Sequence, residues 1–184
     1  MSEFELVCRS QAGADVLLRE LGALDQLRDA VVSYCVDSGV PAPPYKPQEI
    51  KKRLRVHGWL PEVRVPPLNP KHDQLPVNDR YDLWKDFAAP GEHVGVAIEI
   101  ERWAIWNDLL KFRRGLNRGQ IRAGIVLHDH PQHLDYVFNH LRLMVEPVFD
   151  DIPILFAAPS GGALPEPYER KRNYQPYRMP SEPR

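Results

Sequence analysis

The sequence predicts an α/β protein built on a central mixed β-sheet flanked by helices, and three observations carry that prediction. Apolar residues recur at steps of three and four between Ala14 and Val36, the mark of amphipathic helix. From Arg80 to Glu101 two apolar-polar alternating segments flank the turn formers Ala88-Ala89-Pro90-Gly91, the mark of an antiparallel hairpin. Beyond Asn107, helical and extended patterns take turns, and strand-helix-strand alternation implies parallel crossovers.

Taken in order, Leu17, Leu21, Leu24, Leu27, Val31 and Tyr34 share one face of a helix, or of two helices joined near Gly22. Pro41-Ala42-Pro43-Pro44 ends that part. The next helix begins at Pro47, because a residue without an N–H suits the first turn. It carries Ile50 and Leu54 on one face and stops at Gly58. Glu62 to Val65 is a short strand and Pro66 to Pro76 a loop. Arg80 to Asp86 and His93 to Glu101 form the hairpin strands. Asn107 is placed to cap a helix running to Asn117, with Gly119 as its stop. Ile121 to Leu127 is apolar enough for a buried central strand. A helix from Pro131 to Val145 and a last strand from Ile152 to Ala157 complete the series.

These elements predict a single domain over 1–160, with a helical N-terminal part over 1–40 and a core over 47–157. Residues 161–184, rich in proline, charge and tyrosine and without apolar period, read as a tail. The 184 residues, 43% hydrophobic and 27% charged, suit an ordinary globular domain rather than a disordered or fibrous chain. A formal net charge of −1 neither requires nor excludes a nucleic-acid partner, since binding needs a local basic surface and not a basic total. Cys8 and Cys35, the only cysteines, show no metal-ligand spacing, so a reduced, cytoplasmic protein is expected. No run of about 18 apolar residues occurs, and the N-terminus has no export pattern. The expectation is no membrane span.

The chemistry is concentrated in Val94-Gly95-Val96-Ala97-Ile98-Glu99-Ile100-Glu101. With a period of two, the branched residues face one way and Gly95, Ala97, Glu99 and Glu101 the other. Two carboxylates thus project from one strand, and the small residues before them leave room for a ligand. Alternating acids on a strand are usually a solvated face; a third acid from a neighbouring strand makes a divalent-metal site the sharper reading. Asp79, Asp82 and Asp86 compete for that position. Asp82 is favoured because Tyr81 and Leu83 bracket it within an apolar strand.

Around these acids the chain reads Ile50-Lys51-Lys52-Arg53-Leu54 leading to Gly58-Trp59, and Tyr81-Asp82-Leu83-Trp84-Lys85. After the acids come Leu109-Leu110-Lys111-Phe112-Arg113-Arg114 and Gly119-Gln120-Ile121-Arg122-Ala123-Gly124-Ile125-Val126. In order and spacing these segments, from about Gln48 to Val126, resemble the PD-(D/E)XK nuclease superfamily, and within it type II restriction endonucleases of the BamHI and BglII kind. No proline precedes Asp82, and Glu101 stands where most of the superfamily has lysine. The BamHI subgroup is similar here in having glutamate.

The resemblance implies a Mg²⁺-dependent endodeoxyribonuclease, with Mn²⁺ as a substitute, acting on DNA as a homodimer. It implies that Asp82, Glu99 and the Ile100 carbonyl hold metal and that Glu101 orients or deprotonates the attacking water. Glu49 is a candidate fourth acid, set against an ordinary helix N-terminal acid stabilised by the macrodipole. Two rival readings stand beside this one: a same-fold nuclease acting on RNA, single strands or branched DNA, and a non-catalytic nucleic-acid-binding or interaction module.

Basic residues flank the acids at Lys51, Lys52 and Arg53 and at Lys111, Arg113 and Arg114, where they are expected to position a phosphate backbone. A solvated helix face explains them nearly as well. His128, Asp129, His130 and His133 invite comparison with a transition-metal site but read better as surface residues at a strand end.

Overall fold

Phe4, Leu6 and Cys8 pack inward in alternation with Glu5 and Arg9, and Glu5–Gln11 is accordingly a strand, β1, where the sequence predicted only helix before residue 40. Its antiparallel partner, β6 (Ile154–Ser160), comes from the other end of the core. A short edge strand is held by its distant partner more than by its own pattern, which is why the neighbouring helical period hid it. The computed structural model describes residues 4–38, 47–67, 79–89, 91–100, 105–128, 131, 134–135, 137–139 and 150–161.

The N-terminal helical period divides at Gly22, whose φ of 69° suits a glycine stop, into α1 (Ala14–Glu20) and α2 (Ala23–Ser38). At the entry to α1 the Asp15 amide donates to Ser10 Oγ at 3.0 Å, and the Ser10 hydroxyl donates back to the Asp15 carboxylate at 2.6 Å. Helix α3 (Pro47–Val56) ends before Gly58, at φ 85°. There follow β2 (Leu60–Arg64), β3 (Arg80–Ala89), β4 (Glu92–Ile100), α4 (Ile105–Asn117) and β5 (Ala123–Leu127). Helix α4 starts ahead of Asn107, so this residue lies inside the first turn and is not the cap expected of it. The last strand is shifted toward the C-terminus of its expected span. Of the helix expected over 131–145, Pro131, Leu134, Asp135 and residues 137–139 are helical. The prolines at 41–44, most of the 66–76 loop and the tail beyond Gly161 lie outside the described residues.

The six strands make one mixed sheet in the order β1-β6-β5-β4-β3-β2. β4, β5 and β6 run parallel, while β2, β3 and β4 form an antiparallel meander. Strands buried on both faces alternate their side chains between two cores. Val96, Ile98, Ile125, Leu127 and Leu155 pack under α1, α2 and α3. Ala97, Val126, Ile154 and Phe156 pack with Leu109 and Phe112 of α4 and with Leu134. The result is a three-layer α/β arrangement. Among the described residues no helix is long and apolar enough to cross a membrane.

Candidate active site

The β3–β4 ladder is regular from Ala89↔Glu92 to Leu83↔Ile98 and then opens. Beyond that point the Ile100 amide donates not to backbone but to the Asp82 carboxylate, Oδ2 accepting at 2.8 Å. The cause is a break of phase in β3. Tyr81 packs against α4 while Leu83, two residues on, packs against the opposite core, so the strict alternation of a strand fails at Asp82. The flanking pairs Pro61↔Leu83 and Val63↔Tyr81 place Glu62 of β2 across from it. Glu62 itself has a φ of 56°, a left-handed backbone that costs a non-glycine residue about 1–2 kcal/mol. Both strands therefore twist at the same level, and Asp82 is turned to the opened edge of β4.

Lys51 of α3 closes this corner. Its ammonium lies 2.6 Å from Asp82 Oδ1 and 3.4 Å from Glu62 Oε1. Burial pushes the Lys51 pKa down, but the two carboxylates outweigh it and the net shift is upward. Asp79 and Asp86, the rivals for the upstream acid, are engaged elsewhere, with Arg114 and His93 respectively.

Glu99 lies on the other face of β4, 3% exposed beneath α4. The helix presents Lys111, whose ammonium is 3.0 Å from Glu99 Oε1 and 3.1 Å from Oδ1 of Asp108, a residue of its own first turn. Burial, the neighbouring Asp108 charge and more weakly Asp82 push the Glu99 carboxyl up to about 8 against the opposing pull of Lys111. Glu99 Oε1 is shut off from solvent, and the Lys111 ammonium is its charged partner. The Lys111 pKa rises, because Glu99 and Asp108 overcome the effect of burial. Tyr81 underlies this cluster, its hydroxyl donating to the Lys111 carbonyl at 3.3 Å, and its phenol is pushed up by burial and by Glu99.

Asp82, Glu62, Glu99 and Asp108 thus face Lys51 and Lys111 in two lysine-paired groups, a net charge of −2 when all are ionised. Oxygen donors with excess negative charge are of the kind that suits a hard divalent ion such as Mg²⁺. Among the described residues, no three acidic, histidine or cysteine side chains are already gathered as a cage. The ammonium groups of Lys51 and Lys111 lie against these carboxylates.

Other predicted residues fall as follows. Glu49 sits in the first turn of α3, and it is Lys51 from that helix that reaches Asp82. Glu101 lies outside the described residues, as do Asp129, His130 and His133. His128 is fully buried rather than at the surface, its amide donating to the Ala157 carbonyl at 2.8 Å. Among the basic residues, Arg53 binds Asp37 and Ser33, Arg113 binds both oxygens of Asp151, and Arg114 binds Asp79. Lys52 is exposed. The space expected above Gly95 and Ala97 is filled: a Cβ at Gly95 would collide with the Gln120 carbonyl, and Ala97 is buried under α4. The return of the chain from α4 into β5 covers that part of the face, with the Arg122 amide donating to the Gly95 carbonyl at 2.7 Å.

Asp108 and Glu62 are site residues the sequence reasoning missed. The signal for Asp108 was its spacing of three from Lys111, which puts both on one helix face; Glu62 carried no local signal. No family model matches the chain, and no curated protein matches its sequence.

Proposed function

We propose that the chain is a Mg²⁺-dependent endodeoxyribonuclease with a PD-(D/E)XK core, working as a homodimer on DNA. One observation carries the reading: Asp82 is turned onto the Ile100 amide where β3 and β4 separate, next to the buried Glu99. That is where the resemblance calls for a divalent ion, held by Asp82, Glu99 and the Ile100 carbonyl. Mg²⁺, or Mn²⁺ in its place, supplies charge stabilisation at the phosphoryl group and an activated water when bound. Glu101, next in sequence to Ile100, orients or deprotonates that water. Lys51 and Lys111 offset part of the acids' charge in the resting protein, and their ammonium groups are suited to phosphate oxygens once the carboxylates are otherwise engaged. Lys52 supplies a further phosphate contact.

Purified protein incubated with double-stranded, single-stranded and branched DNA and with RNA, in Mg²⁺ or Mn²⁺, tests this directly. Double-stranded DNA is expected to be cleaved, with activity falling by about 100-fold or more in Asp82→Ala and in Glu99→Ala. Activity unchanged in both variants would overturn the assignment.

A second reading has its own support. Lys51, Arg53, Lys111, Arg113 and Arg114, five of the six residues expected to meet phosphate, are held in internal ion pairs. This favours a fold whose charged clusters are structural and whose role is interaction rather than catalysis. Absence of cleavage across the whole substrate panel would select it.

A further inference from the structure

The two edges of the sheet are not alike. β2 is blunted for further pairing by Pro61, which has no N–H to donate, and by the left-handed Glu62. β1, at the other edge, contains no proline and stays in register with β6, residue for residue, from Glu5↔Ser160 to Gln11↔Ile154. The backbone groups on its free side follow from those of its neighbours. The Ala157 carbonyl of β6 accepts the His128 amide from the β5 side, so Phe156 and Ala158 direct their backbone groups to β1, and Arg9 and Val7 opposite them point back. The N–H and C=O groups of Leu6, Cys8 and Ser10 therefore face away from the sheet. Two of these carbonyls accept side-chain groups of β1 itself, from Arg9 Nη1 to Cys8 at 3.0 Å and from Cys8 Sγ to Leu6 at 3.9 Å. Among the described residues no strand lies beyond them.

We propose that β1 is a self-pairing edge, along which a second copy of this chain adds its own β1 antiparallel about a two-fold axis at Val7. Charge complementarity selects the register. With Val7 opposite Val7, Leu6 of one copy exchanges hydrogen bonds with Cys8 of the other, and Glu5 of each copy stands directly across from Arg9 of its partner. An axis at Cys8 sets Arg9 against Val7 and Glu5 against Gln11, and both charge pairs are lost. An axis at Leu6 overlaps β1 only over residues 5–7. Glu5 is exposed and has no ion pair among the described residues. Arg9 holds Asp135 through Nη2 at 2.9 Å, while its Nη1 covers the Cys8 carbonyl. That carbonyl is the acceptor for the second copy's Leu6 amide, and Nη1, once displaced from it, meets the second copy's Glu5. This surface serves the homodimer of the nuclease reading without depending on that reading.

The test is the oligomeric state of the full chain, followed by sedimentation velocity over a concentration series. The wild type is expected to dimerise. Glu5→Arg and Arg9→Glu each set like charges opposite one another across the axis, and each is expected to weaken the dimer about tenfold or more. An equimolar mixture of the two variants is expected to recover the dimer, because each copy then carries the charges that the other lacks. Damage to the fold, such as loss of the Arg9–Asp135 pair, predicts no such recovery. Val7→Cys gives a second readout: residues opposite on the axis form a non-hydrogen-bonded pair with Cα atoms about 4.5 Å apart, within disulfide range. Mild oxidation is expected to cross-link that variant into a covalent dimer and to leave the wild type, with Cys8 opposite Leu6, uncross-linked. A wild type that stays monomeric overturns the self-pairing edge, as does a mixture no more dimeric than either variant alone. Should Arg9→Glu fail to fold, the Val7→Cys cross-link decides, and its absence overturns the register. DNA cleavage separates this from the nuclease reading. A wild-type dimer that cleaves no DNA keeps the β1 pairing and removes the nuclease; cleavage by a monomer does the reverse.

Discussion

Glu99 shows how a single side chain can be pulled both ways. Burial disfavours its charge more than Lys111 favours it, and the carboxyl is raised to about 8. Between the ordinary carboxylate range and that value the folded chain keeps a proton that the unfolded chain has lost. Stability contributed by this group therefore falls as pH rises through that window and levels off above it. In metal-free buffer the melting temperature of the wild type is expected to drop more from about pH 5 to about pH 8 than that of Glu99→Gln, which has no proton to lose. Parallel profiles for the two would show that Lys111 neutralises the carboxylate and that burial does not dominate. Lys111 acts in a separate, alkaline window: its raised pKa stabilises the fold below the ordinary lysine value and is lost as pH climbs through the folded one.

At the scale of elements, the site depends on how closely α4 lies on β3. Tyr81 stacks on Phe112, with ring centroids 6.3 Å apart, and its hydroxyl reaches the helix backbone at Lys111. Gly115 makes that approach possible, because a Cβ there would overlap the Tyr81 hydroxyl and press on Ile121. Gly115→Ala is expected to cost about 1–3 kcal/mol by overpacking, measured by urea denaturation. Part of that cost should disappear in the Tyr81→Phe background, where the overlapping oxygen is gone; strictly additive effects would mean that Ile121 alone resists the methyl group. This seam also shows what was legible in the sequence. The apolar faces of α1, α2 and α3 and the glycine stops at Gly22, Gly58 and Gly119 stood in local pattern. Strand β1 did not, because its partner lies far away in sequence. Nor did the burial of Glu99, since a period of two gives a residue's face but not what covers that face. The break of phase at Asp82 was hidden for a related reason: it is shared by two strands, and Glu62 in β2 looks like any other exposed acid.

Across the whole molecule, the topology explains why Asp82 and Glu99 both lie toward the end of β4. Strand β4 is where the parallel half of the sheet, through β5 and β6, meets the antiparallel meander of β3 and β2. Its β5 side stays paired to Ile100↔Leu127, while its β3 side is released after Ile98. The end of β4 is thus rigid on one edge and open on the other, a setting that fixes side chains while leaving backbone groups free to meet a ligand. The Ile100 amide reports on this arrangement because its acceptor is a side chain. A hydrogen bond contributes a net 0.5–1.5 kcal/mol, so Asp82→Ala should speed exchange of the Ile100 amide roughly fivefold relative to that of Ile98, which lies within the regular ladder. Asp82→Asn, which keeps a carbonyl oxygen as acceptor, should restore most of the difference. Amide exchange followed by NMR measures both. If the Ile100 and Ile98 amides accelerate together in Asp82→Ala, the carboxylate is holding the sheet as a whole, and the opening of β3 from β4 is not a local feature of the site.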